Sequence, residues 1–79
     1  MDRSAIFDKV KEFILNQLPV DEAKVSESAN MIEDLGADSA NLMMLIMDLE
    51  TEFDMQVEDE ALGTIKTVGD IVDYISRKL

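Results

Sequence analysis

The chain has 79 residues, 47% of them hydrophobic, with no cysteine, no histidine and a formal net charge of −11 at pH 7. That length supports one small domain, residues 1–79, and the missing thiols and imidazoles exclude a disulfide framework, a thiolate metal site, and the commonest zinc ligand and general base. The charge opposes binding to nucleic acid or an anionic membrane, favours basic protein partners and, through self-repulsion, predicts a weakly stable, soluble monomer.

Met1-Asp2-Arg3-Ser4 leads straight into an amphipathic pattern, and the longest apolar run, Leu42 to Met47, is far too short to span a membrane. Neither a signal peptide nor an anchor is expected, and a cytoplasmic location is. Ile6, Val10, Phe13, Ile14 and Leu18 recur near the helical period, so the first helix is predicted from Ser4 to Gln17, stopped by Pro19. Residues 19–38 form a long connection that needs internal pins, for which Val25, Met31, Ile32 and Leu35 are the candidates. Gly36 suits a turn with positive φ.

Leu42, Leu45, Ile46, Leu49 and Phe53 define a second long helix, and Val68, Ile71, Val72, Ile75 and Leu79 repeat its spacing in the last one. Thr67 and Asp70 form a capping box at the start of that last helix, and Arg77 and Lys78 suit its negative pole. Between them, Glu58 to Leu62 reads as a short helix closed by Gly63 at a C′ position. The predicted fold is all-α: a four-helix bundle with three long helices, one short helix and a long first loop.

Between Lys24 and Lys66 the chain has eleven carboxylates and no basic residue, and within that stretch Asp34-Leu35-Gly36-Ala37-Asp38-Ser39 delivers a serine to the second helix. Taken locally, Asp38 or Ser39 is most simply an N-cap. A serine hydroxyl needs a base before it can attack, and no histidine is present to serve. Ser39 is therefore expected to be a substrate of another enzyme, with no catalytic residue and no metal site in this chain.

The sequence resembles the acyl carrier proteins of fatty-acid and polyketide synthesis. The resemblance rests on Glu33-Asp34-Leu35-Gly36-Ala37-Asp38-Ser39, then Leu42, Leu45, Leu49, Glu50, Glu52, Phe53 and Asp54, then Asp59-Glu60, Ile65, Thr67-Val68 and Asp73-Tyr74-Ile75, over Ser4 to Ile75. It implies that Ser39 carries 4′-phosphopantetheine, transferred from coenzyme A by a separate phosphopantetheinyl transferase, and that acyl groups ride on the arm's thiol as thioesters. A chain without cysteine can do thioester chemistry only with such an imported thiol.

The resemblance further implies that the outer face of the second helix meets basic docking patches on acyl-loading and acyl-processing enzymes. Matching positions are Asp38, Ala40, Met43, Met44, Met47 and Glu50, of which the methionines exceed what one buried stripe needs. The chain departs from the family where Ala40 replaces the usual leucine and where Asn41, Met44 and Thr51 stand at positions that tend to be polar or acidic. A face less charged and more apolar than in ordinary fatty-acid carriers hints at a specialised set of clients.

An acyl pocket is implied among Val10, Ile32, Leu45, Leu49, Val57, Leu62, Ile65, Ile71 and Tyr74, although core packing alone accounts for the same residues. Leu62 and Ile71 are larger than is common there, so a shallow pocket for short or polar cargo is expected. Two other readings stay open: an aminoacyl or peptidyl carrier, and an acidic helical interaction module without a prosthetic group. A calcium loop at Asp54 to Asp59 fails the alternating oxygen-ligand pattern.

Overall fold

A computed structural model describes all residues, Met1–Leu79. Four α-helices follow in chain order: α1 (Arg3–Gln17), α2 (Ser39–Phe53), α3 (Asp59–Leu62) and α4 (Val68–Lys78), with a single 3-10 turn at Glu22–Lys24 in the first loop. The predicted arrangement of three long helices and one short helix is what the chain adopts. The 3-10 turn carries no buried residue, so hydrophobic periodicity gave no sign of it.

Each long helix starts on a local signal. The Asp2 side chain accepts from the Ala5 amide at 2.8 Å and starts α1, which ends where Leu18, extended ahead of Pro19, leaves helical geometry. At α4 the Thr67 hydroxyl accepts from the Asp70 amide and the Asp70 carboxylate accepts from the Thr67 amide, both at 3.1 Å. The Lys66 amide and then the Thr67 amide hold the Asp70 pKa below the usual carboxylate value. α2 ends on Asp54, whose φ of 51° is left-handed, a conformation that aspartate tolerates better than most residues. Gly63, expected to supply a left-handed C′, instead has φ −70° and ends α3 in right-handed geometry.

The three stripes meet in one core. Ile6, Val10 and Ile14 of α1 pack with Leu45, Ile46 and Leu49 of α2 and with Val68, Ile71, Val72 and Ile75 of α4, all buried. α1 lies between α2 and α4. Lys9 reaches Glu52 at 3.6 Å, and Arg3 bridges Glu27 and Asp73, which together raise the Arg3 pKa; these exposed pairs set geometry more than stability.

The first loop is sewn to the start of α4. The Met31 amide donates to the Lys66 carbonyl at 2.9 Å, the Val68 amide to Ala29 at 3.0 Å and the Gly69 amide to Glu27 at 2.8 Å. A Cβ on Gly69 would lie 2.9 Å from the Glu27 carbonyl oxygen, so only glycine permits this approach. Val25, Met31 and Leu35 pin the loop as expected, joined by Ala29 and Ala37. Ile32 does not: it is 55% exposed, because its amide and that of Glu33 both donate to Asn30 Oδ1 in a turn that sends the side chain outward.

Candidate functional site

The loop delivers Ser39 by a short chain of backbone bonds. Gly36 takes the positive φ expected of it, 75°, and the Ala37 amide then donates to the Met31 carbonyl at 2.9 Å. Asp38, extended at φ −100°, is the N-cap of α2, and Ser39 is the first helical residue. Asp38 and Asn41 form a reciprocal capping box, so the capping role that Ser39 could have played belongs to its neighbour. The exposed Ser39 hydroxyl is left out of the intramolecular hydrogen bonds, and Glu33, Asp34 and Asp38, all exposed, precede it in the chain. An exposed, unengaged hydroxyl at the head of a helix fits an attached group.

Downstream on α2, Met43, Met44 and Met47 are all exposed, as is Ala40, and together with Asp38 they form the outer face of the helix. Glu50 departs from this set. It is half-buried, and its Oε2 accepts the Val57 amide at 2.7 Å, so the carboxylate closes the α2–α3 loop. The Glu58 amide donates to the Tyr74 hydroxyl at 3.2 Å, and Lys78, its pKa raised by Glu58, lies 5.5 Å from the Tyr74 ring centre.

Beneath that loop is an apolar cavity of about 10 Å³, lined by Leu49, Val57, Ile65, Ile71 and Tyr74 of the expected pocket, with Ile46, Met55, Ile75 and the Glu50 side chain. It has room for about one water molecule. The remaining expected positions lie elsewhere. Val10 and Leu45 are buried in the core away from it, Leu62 is half-buried outside its lining, and Ile32 belongs to a surface groove on the other side of Ile65. The resemblance implied all of these positions, but which inward neighbours leave a gap depends on how this chain's own side chains pack.

Residues 8–75 match the family model described as a phosphopantetheine attachment site, a span that contains the whole arrangement from mid-α1 to the end of the Ile71 to Ile75 stripe. The chain belongs to the acyl carrier protein family. It is 54% identical to the acyl carrier protein of Thermotoga maritima over 77 residues, 98% of this chain and 95% of that one. It is 46% identical to the acyl carrier protein of Bdellovibrio bacteriovorus, over 94% of this chain and 95% of the relative. Its fold is similar to that of an acyl carrier protein from Enterococcus faecalis, with a TM-score of 0.80 and 37% identity over 95% of each chain. Members of this acyl carrier protein family are carriers that bear 4′-phosphopantetheine covalently, not enzymes, and they meet a phosphopantetheinyl transferase and acyl-processing enzymes. No helix of this member is long and apolar enough to cross a membrane.

Proposed function

We propose that Ser39 is the attachment point of 4′-phosphopantetheine and that this carrier presents short acyl intermediates in a specialised, polyketide-like branch of acyl-chain synthesis. The observation that carries the attachment is the division of labour at the head of α2, where Asp38 caps and the Ser39 hydroxyl stays free. When bound, the arm supplies the thiol that a chain without cysteine lacks. Coenzyme A is the donor: the Ser39 oxygen forms the new P–O bond, the pyrophosphate bond of coenzyme A breaks to release adenosine 3′,5′-bisphosphate, and the serine proton goes to a base on the transferase, since no histidine is available here.

The outer face of α2, from Asp38 through Ala40, Met43, Met44 and Met47, is the docking surface for client enzymes. Asp38 and the chain's net charge of −11 steer basic patches toward it, and its unbranched thioethers repack against more than one surface. Three exposed methionines in that face support clients with a larger apolar contact than a purely acidic helix would select. The small cavity beneath Glu50 and Tyr74 is the place for the first carbons of an acyl chain, once the α2–α3 loop yields. The protein acts as a cytoplasmic monomer.

The intact mass of the protein purified from its own host tests the proposal. A mass increment of one phosphopantetheine, with or without a short acyl group, is expected; only unmodified chain would contradict it. For the pathway, general fatty-acid synthase enzymes should elongate on this carrier less efficiently than on an ordinary fatty-acid carrier. Equal efficiency would place it in primary fatty-acid synthesis.

A further inference from the structure

A second concavity lies beside the serine. Ile32 from the first loop, Leu42 from the first turn of α2 and Ile65 from the segment before α4 line a groove of about 230 Å³, with Asn30, Met31, Glu33 and Lys66 completing its wall. Leu42 stands three residues beyond Ser39, less than one helical turn. The Lys66 carbonyl accepts from Met31, whose own carbonyl accepts from Ala37, so two main-chain bonds hold Lys66 against the segment that presents the serine. The groove is open, apolar on its floor and smaller than the roughly 300–1,000 Å³ of pockets for drug-sized ligands.

Its chemistry is set by the lysine. Of the seven basic side chains, Arg3, Lys9, Lys11 and Lys78 form ion pairs and Arg77 lies over the Tyr74 ring, whereas Lys24 and Lys66 have neither kind of partner, and of these two only Lys66 lines the groove. The adjacent Asp70 carboxylate is occupied by the amides of Lys66 and Thr67. In a chain with eighteen carboxylates, a cation left free beside three apolar side chains, one of them 55% exposed, is poised for an anion that arrives from outside. Lys66 makes hydrogen bonds only through its main chain, and its ammonium, whose charge acts on Asp70 without forming an ion pair, can still meet a second anion.

Building on Ser39 as the attachment point, we propose that this groove docks a short acyl group ending in a carboxylate, with its methylenes on Ile32, Leu42 and Ile65 and its carboxylate on Lys66. The flexible arm folds back over the first turn of α2 to deliver it. A longer alkyl chain exceeds the groove, and an uncharged short one leaves Lys66 unpaired. Glu33, which lines the same groove, repels the carboxylate and leaves Lys66 as its favoured partner.

The test uses the full-length protein carrying succinyl or butyryl on the arm, two groups of equal chain length that differ in the terminal charge. Intact mass first establishes loading at Ser39; failure to load would count against the attachment itself and is thereby separated from failure to dock. Amide chemical shifts of Ile32, Leu42, Ile65 and Lys66 are then compared with those of the unacylated arm-bearing protein. The succinyl group should shift these amides more than butyryl does. Lys66→Gln should lower its docked fraction about two- to fivefold, the scale of one exposed ion pair, and Glu33→Gln should raise it. Shifts that are equal for the two groups, absent for both, or unmoved by Lys66→Gln would overturn the proposal.

Discussion

Asp38 and Asn41 lock the head of α2 by mutual exchange: Asp38 Oδ1 accepts the Asn41 amide at 2.8 Å, and Asn41 Oδ1 accepts the Asp38 amide at 3.3 Å. Ser39 sits between them with its hydroxyl uncommitted. Stability and attachment therefore reside in different residues. Asp38→Ala should cost about 1 kcal/mol of unfolding free energy, the usual loss for an N-cap, while Ser39→Ala should stay within about 0.5 kcal/mol. Urea denaturation of both variants measures this; a large loss in Ser39→Ala would return the serine to a structural role.

Gly69→Ala should destabilise the fold more than its size suggests. The added Cβ meets the Glu27 carbonyl at 2.9 Å, where backbone, not a mobile side chain, must give way. A cost of about 1–3 kcal/mol is expected, with the first loop loosened from α4, read as a lower urea midpoint and faster exchange of the Met31 and Val68 amides.

Two bonds hold the α2–α3 loop over the small cavity, from the Val57 amide to Glu50 and from the Glu58 amide to the Tyr74 hydroxyl. Glu50→Ala and Tyr74→Phe should each remove about 1 kcal/mol locally, a roughly fivefold faster exchange of the corresponding amide. Thermal melts across a series of saturated acyl lengths should show stabilisation that stops growing early, later in Tyr74→Phe than in the unaltered chain.

Asp70 gives a pH dependence of defined sign. Its pKa is lowered by the Lys66 and Thr67 amides, so its contribution is present above the unfolded value of about 3.9 and is lost as pH falls through the lower folded value. Protonating the other carboxylates works the opposite way, by relieving the repulsion of a −11 chain. The stability difference between the unaltered protein and Asp70→Asn isolates the first effect: it should be constant from pH 7 to 5 and shrink below about pH 4.

The helices were legible because their side chains repeat at the helical period, and Thr67 with Asp70 or Pro19 mark boundaries by local chemistry that needs no partner. What the sequence hid depends on distant neighbours. Glu50 looks like one more surface carboxylate until Val57 returns to it, Gly69 looks incidental until the Glu27 carbonyl lies against it, and Ile32 looks like a pin until Asn30 turns its backbone. Asn41 was visible as an oddity after Ser39, and the aspartate three residues before it was the available clue to its capping role. Ser39 itself was found by its motif, but its freedom from capping was not.

The most direct test of the account is mass spectrometry after incubation with coenzyme A and a phosphopantetheinyl transferase, performed on the unaltered protein and on Ser39→Ala. A single phosphopantetheine increment on the first, mapped by fragmentation to Ser39, and none on the second is the predicted result. No adduct on the unaltered chain, or an adduct that persists in Ser39→Ala, would contradict it.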